Sequence, residues 1–141
     1  TPSGNAVAVT VLLRLAKLLD RRDFAAKAEA TLRGYREMMA DHPAAAGQML
    51  IALDFFLGPT TEVAVIGDAN DEQTRLALAT VQQAFRPNQV LAFGAQDVPL
   101  LKDKPAVDGK VTVYVCENFA CREPLVGLEA IERAFAPRGE S

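Results

Sequence analysis

Apolar positions recur at helical spacing up to Gly58-Pro59, and beyond that point short β-branched runs take over. Val7, Val11, Leu15, Leu18 and Leu19 form one stripe, which predicts a helix from about Asn5 to Leu19. Leu12 and Leu13 widen the stripe, so this helix is expected to be covered on more than one side. Ser3 or Asn5 is placed to cap it, because a short polar side chain accepts from the orphan amides of a first turn. Asp20-Arg21-Arg22-Asp23 is a tight polar link. Asp23 can cap a second helix to about Ala40, with Phe24, Ala28, Leu32, Tyr35 and Met39 on its buried side. Asp41-His42-Pro43 breaks the chain, since Pro43 has no amide to donate and restricts the residue before it. A third helix is expected from about Ala44 to Leu57, with Met49, Leu53, Phe56 and Leu57 on its apolar face. Gly58 and Pro59 stop it.

The second part alternates strands with a helix. Glu62 to Gly67 reads as a short buried strand, and Gln89 to Gly94 as another. Between them Asp71 starts a helix to about Phe85, with Thr74, Leu78, Val81 and Phe85 at helical spacing. A helix of crossover length makes the two strands candidate parallel neighbours. Residues 95 to 110 are rich in Asp, Lys, Gly and Pro and read as a surface loop. Lys110 to Cys116 reads as the third strand, Leu125 to Phe135 as the last helix, and Pro137 to Ser141 as a fraying end. The fold class is therefore mixed α and β. A helical segment over residues 1–58 precedes a small α/β portion over 59–141 with about three strands and two helices.

Composition narrows the functions. The chain has 141 residues, 50% of them apolar and 23% charged, which suits a globular domain that owns a core. Residues 1–70 carry 7 basic and 8 acidic side chains, and residues 71–141 carry 8 and 10, so neither half is a footprint for nucleic acid. No apolar run is long enough to span a membrane. Two cysteines do not make a disulfide scaffold, which favours a reducing, cytoplasmic setting. The chain opens at Thr1 without a Met, and its helices outnumber the sheet faces they could cover. Both features lead us to expect a piece of a larger protein.

Cys116-Glu117-Asn118-Phe119-Ala120-Cys121 is the most unusual local feature. A redox motif of the CxxC kind has two intervening residues, and here there are four. Three readings stay open. The first is a pair of reduced structural cysteines at a strand end. The second is a bridge or reversible redox pair, and the third is a site completed by another part of a longer protein. A zinc site needs further ligands, and His42 is the sole histidine, so no metal is expected. His42 itself reads as a capping or solvated residue. Ser3 and Asn5 are candidate cavity-facing groups at a helix entrance, beside the simpler reading of N-capping. Asp54 is a third, because it interrupts the apolar run from Leu50 to Leu57. Gly67-Asp68 is a poor phosphate turn, with one glycine and acids where bare amides are needed. No nucleotide, calcium or hydrolase motif is present, and no cofactor is implied.

Three stretches together resemble one family: residues 1–5, residues 47–59 from Gly47 to Pro59, and residues 113–124 from Val113 to Pro124. Their order and spacing are similar to the C-terminal end of the YyaL-like, or spermatogenesis-associated protein 20-like, proteins. Members of that family begin with a thioredoxin-like domain. They continue into an α/α toroid resembling N-acylglucosamine 2-epimerases and six-hairpin glycosidases. The resemblance implies that the three helices close such a toroid and that an α/β appendage follows. It implies a non-catalytic C-terminal part of a larger protein, inactive when isolated, whose partners are the rest of that chain, including the thioredoxin-like domain, and a sugar. It maps Cys116 and Cys121 onto a terminal cysteine pair, which carries the alternative of a thiol-redox module. A truncated ring would expose an apolar helical face, so self-association is expected.

Overall fold

The computed structural model describes residues 3–83, 86–94, 97–118 and 120–136. Thr1, Pro2, Phe85, Phe119 and the expected fraying end from Pro137 lie outside the described residues. The chain forms two compact units that divide between Thr60 and Thr61.

The first unit is helical. Its elements are α1 (Gly4–Leu19), α2 (Arg22–Gly34), α3 (Arg36–Asp41) and α4 (Gly47–Leu57). Ser3 caps α1, its hydroxyl accepting from the Ala6 amide at 3.2 Å. Asp20 closes the other end in a left-handed conformation, with its amide donating to the Ala16 carbonyl. The second helix expected to reach Ala40 is instead two. Gly34, a poor helix former, ends α2, and the Tyr35 amide is shared between the carbonyls of Thr31 and Leu32 before α3 resumes. Asp23 does not cap α2. It sits in the first turn, and its carboxylate accepts two hydrogen bonds of 2.7 Å from Arg21.

The buried faces of α1 and α4 are rotated from the expected ones. α1 buries Ala6, Val9 and Leu13 and leaves Val7 and Val11 each 47% exposed. α4 buries Met49, Ala52 and Phe55, while Leu57 is 72% exposed. The cause is alanine. α1 packs against both α2 and α4, where Ala6, Ala28 and Ala52 are almost fully buried and let the backbones approach. A stripe drawn through the larger side chains misses that contact.

The second unit is an open five-stranded sheet with two helices on one face. Its strands are β1 (Thr61–Ile66), β2 (Gln89–Phe93), β3 (Thr112–Glu117), β4 (Ala120–Cys121) and β5 (Leu125–Val126). The strand order is β2-β1-β3-β4, with β5 also pairing β3. β1 and β2 are parallel neighbours joined through α5 (Glu72–Gln83), and β3 runs antiparallel to β1. Val63, Val65 and Val113 build the core with Ala77 and Val81 of α5 and with Ile131 and Phe135 of α6 (Leu128–Phe135). α6 starts later than expected, because Leu125 and Val126 are used as β5. Gly67 lets α5 close onto the sheet: a Cβ there would run into the hydroxyl of Thr74, which is fully buried.

The loop expected at the surface over 95–110 is tied down. Its 3-10 turn Pro99–Leu101 buries Leu100 and Leu101 and packs on β1 and β2. The Tyr114 hydroxyl donates to the Pro105 carbonyl at 2.8 Å, and the Thr112 hydroxyl donates to Lys110 and accepts from the Val107 amide.

The toroid expectation is corrected here. The first unit has four helices rather than three, and no toroid or closed barrel is evident among the described residues. That expectation came from the family resemblance and not from any periodicity in these residues.

Candidate functional site

β3 and β4 form a hairpin in which Glu117 faces Ala120 and Cys116 faces Cys121. Asn118 takes a positive φ of 50° in the two-residue link, a conformation that asparagine tolerates better than most residues. The Arg122 amide donates to the Val115 carbonyl at 3.0 Å, beside the cysteine pair. Cys116 and Cys121 therefore occupy a non-hydrogen-bonded pair, where facing side chains come closest. Their Cα atoms are 3.9 Å apart and their sulfurs are bonded. This corrects the first reading of the sequence, two reduced cysteines. Four intervening residues are what a hairpin with a two-residue link needs to bring both sulfurs to one face, and that signal was present in the spacing.

The two ends of the bridge differ in environment. Cys116 is 1% exposed on an interior strand, whereas Cys121 is exposed on the edge strand. Glu62 of β1 stands opposite Cys116 and is fully buried, so a carboxyl shares the face of the sheet that carries the bridge.

A one-residue bulge separates β4 from β5. Cys116 pairs Cys121, yet Val113 pairs Leu125, so three residues of one strand lie opposite two of the other. The bulge contains Pro124, which cannot donate to a ladder. It turns Leu125 into the core under the helices while Cys121 stays on the opposite face.

A cleft of about 710 Å³ lies beside this edge, lined in part by Arg86, Arg122, Arg133, Glu117 and Glu123. Arg122 pairs with Glu117 at 2.9 Å. Arg86 stacks on the Phe135 ring at 4.5 Å and donates to the Phe135 carbonyl at 3.2 Å. Sequence reasoning missed these arginines, because residues 11 to 47 positions apart share no local pattern.

The other candidates lie apart from the bridge. Ser3 caps α1 and also lines a cavity of about 440 Å³ in the helical unit with Tyr35 and Met49. Asn5 donates from Nδ2 to the Tyr35 hydroxyl at 2.6 Å. Asp54 is exposed on α4, and His42 is exposed after α3. Ser3, Asn5 and Asp54 do not share one cavity: of the three, Ser3 alone lines the cavity just described. Asp68 at the turn after β1 accepts from the Asn70 amide. Among the described residues, no group of three or more His, Cys, Asp and Glu side chains could hold a metal ion. No helix among them is long and apolar enough to cross a membrane.

The reading of the chain as a non-catalytic closing section of a sugar-epimerase- or glycosidase-like toroid is overturned by this geometry. The sheet is small and open, and its most distinctive group is a tight cysteine bridge on an exposed edge.

No family model matches the chain, and no solved structure matches it. Spermatogenesis-associated protein 20 of Rattus norvegicus is 30% identical over 132 residues, which cover 88% of this chain and 17% of that protein. The Homo sapiens protein of the same name is 29% identical over the same shares. An uncharacterised protein of Caenorhabditis elegans is 26% identical over 139 residues, covering 95% of this chain and 19% of its own length. The chain is thus a distant homologue of the spermatogenesis-associated protein 20 and YyaL-like proteins, and it spans less than a fifth of the length of these relatives.

Proposed function

We propose that this chain is a thiol–disulfide exchange module whose reactive group is the Cys116–Cys121 bridge. The observation that carries the reading is the asymmetry of the bridge, with Cys121 exposed on an edge strand and Cys116 buried on an interior one. Exchange starts at the half of a bridge that an incoming thiolate can reach, and Cys121 is the exposed residue of this pair.

The chemistry follows from that asymmetry. An incoming thiolate attacks Sγ of Cys121, the Cys116–Cys121 bond breaks, and a mixed disulfide forms on Cys121. The Cys116 sulfur leaves as a thiolate and takes a proton from solvent. A second thiolate then attacks the mixed disulfide. The chain is left as a dithiol, and the two incoming thiols leave joined as a disulfide. Two electrons pass to the chain, and the reverse sequence returns them. The family resemblance supplies a candidate donor, a thioredoxin-like domain elsewhere in the full-length protein.

Trapping tests the order of attack. Cys116→Ser, which keeps the exposed Cys121, is expected to form a mixed disulfide with an aromatic disulfide reagent, releasing its aryl thiolate, at least tenfold faster than Cys121→Ser, which keeps the buried Cys116. Equal rates, or faster trapping in Cys121→Ser, would overturn the assignment of Cys121 as the attacked sulfur.

A further inference from the structure

We infer that the cleft beside β4 binds carboxylates and thereby delivers a small acidic thiol, of the kind represented by glutathione, to Cys121; this rests on the thiol–disulfide reading above. The volume of about 710 Å³ lies within the range of small-molecule sites. Its charge runs against its surroundings. Residues 61–141 carry 8 basic and 12 acidic side chains, yet three of their five arginines line this one cleft.

Those arginines keep donors for a ligand. A guanidinium has five N–H groups in a planar fork that matches a carboxylate. Arg122 commits Nη2 to Glu117, and Arg86 commits Nη2 to the Phe135 carbonyl while its plane is held against the ring. Arg133 is exposed on α6, and no ion pair holds it among the described residues. Glu117 and Glu123, on the same walls, suit an ammonium group. A ligand with two carboxylates and one ammonium matches that set.

Neither cysteine is among the walls of the cleft, and Arg122 and Glu117, the chain neighbours of Cys121 and Cys116, connect it to the bridge. Arg122 follows Cys121 directly, and its amide bonds to the carbonyl of the core-facing Val115, which puts the Arg122 and Cys121 side chains on opposite faces of the sheet edge. β4 is the last strand on that side, so a ligand held by Arg122 reaches the Cys121 sulfur by passing over one edge strand. The reaction is the exchange already written, with the thiolate of the bound ligand as the attacking group.

The test compares glutathione with its diethyl ester, which has the same thiol but masked carboxylates. Opening of the bridge by each is followed in the 141-residue chain by mass spectrometry after acid quenching. Glutathione is expected to react roughly tenfold faster than the diester at low salt, as a cationic cleft concentrates an anionic reactant, and the advantage should shrink at high salt. Arg133→Gln should remove most of the advantage, whereas Arg75→Gln, which deletes the same charge outside the cleft lining, should keep it. Equal rates for the two thiols, or an advantage untouched by Arg133→Gln, would overturn the inference and leave the exchange reading standing. Failure of both thiols to open the bridge would overturn both.

Discussion

Cys121 and Leu125 are four residues apart on the same edge of the sheet, yet they belong to opposite faces. The bulge at Pro124 supplies the odd residue that makes this so. Leu125 then joins the core under α6, while Cys121 remains across from Cys116. Anchoring the edge and presenting the sulfur are therefore coupled by one extra residue. Deleting Pro124 should put Leu125 and Cys121 in conflict. Either the bridge or the core contact must be lost, so the variant should show a free thiol or a lowered urea midpoint. A deletion variant that keeps both the bridge and the wild-type midpoint would contradict the role given to the bulge.

The bridge closes a short loop, so its contribution to stability is limited. With four residues between the cysteines, the chain-entropy estimate is about 2 kcal/mol. Reduction should therefore lower the urea midpoint without unfolding the chain, as a module that cycles between dithiol and disulfide requires. Far-ultraviolet circular dichroism of the reduced chain should retain the helical signal.

Gly67 and Thr74 set how closely α5 approaches β1. Gly67→Ala is expected to cost about 1–3 kcal/mol through overpacking against the Thr74 hydroxyl. Adding Thr74→Ala should recover part of that loss, because the clash is then gone. Additive costs in the double variant would mean that the two positions do not meet.

Asp23 gives a pH signature to the helical unit. The hydrogen bonds from Arg21 lower its pKa from the ordinary 3.8 to about 2. A carboxyl whose folded pKa is depressed adds stability above its unfolded pKa, and that contribution is lost as pH falls from about 3.8 through about 2. Both partners are at the surface, so the effect on stability is small and weakens with salt. Arg21→Gln should raise the Asp23 titration midpoint toward 3.8, as read by carboxyl carbon chemical shifts.

The sequence was most legible where one period dominated. β1, α5 and β2 could be read as a parallel pair with a crossover, because β-branched runs flank a helical repeat of the right length. β4 and β5 were not legible, since strands of two residues interrupted by Pro124 show no alternation. The faces of α1 and α4 were misread because alanine carries the close contacts but little hydropathy. The spacing of the cysteines fits a hairpin with a two-residue link, but spacing alone suits reduced and bridged thiols alike, and the register decides between them. The arginine cleft joins Arg122, just after β4, and Arg133 of α6 with Arg86, just before β2, an assembly that only the tertiary fold creates.

The most direct test of the account is a redox titration of the chain against glutathione buffers, with the thiol and bridged forms of Cys116 and Cys121 counted by mass spectrometry. The account predicts a reversible two-electron transition at a potential above roughly −300 mV, where exchange with a cellular thiol pool is feasible. A bridge that stays closed across the whole range would contradict it and make Cys116–Cys121 a structural staple.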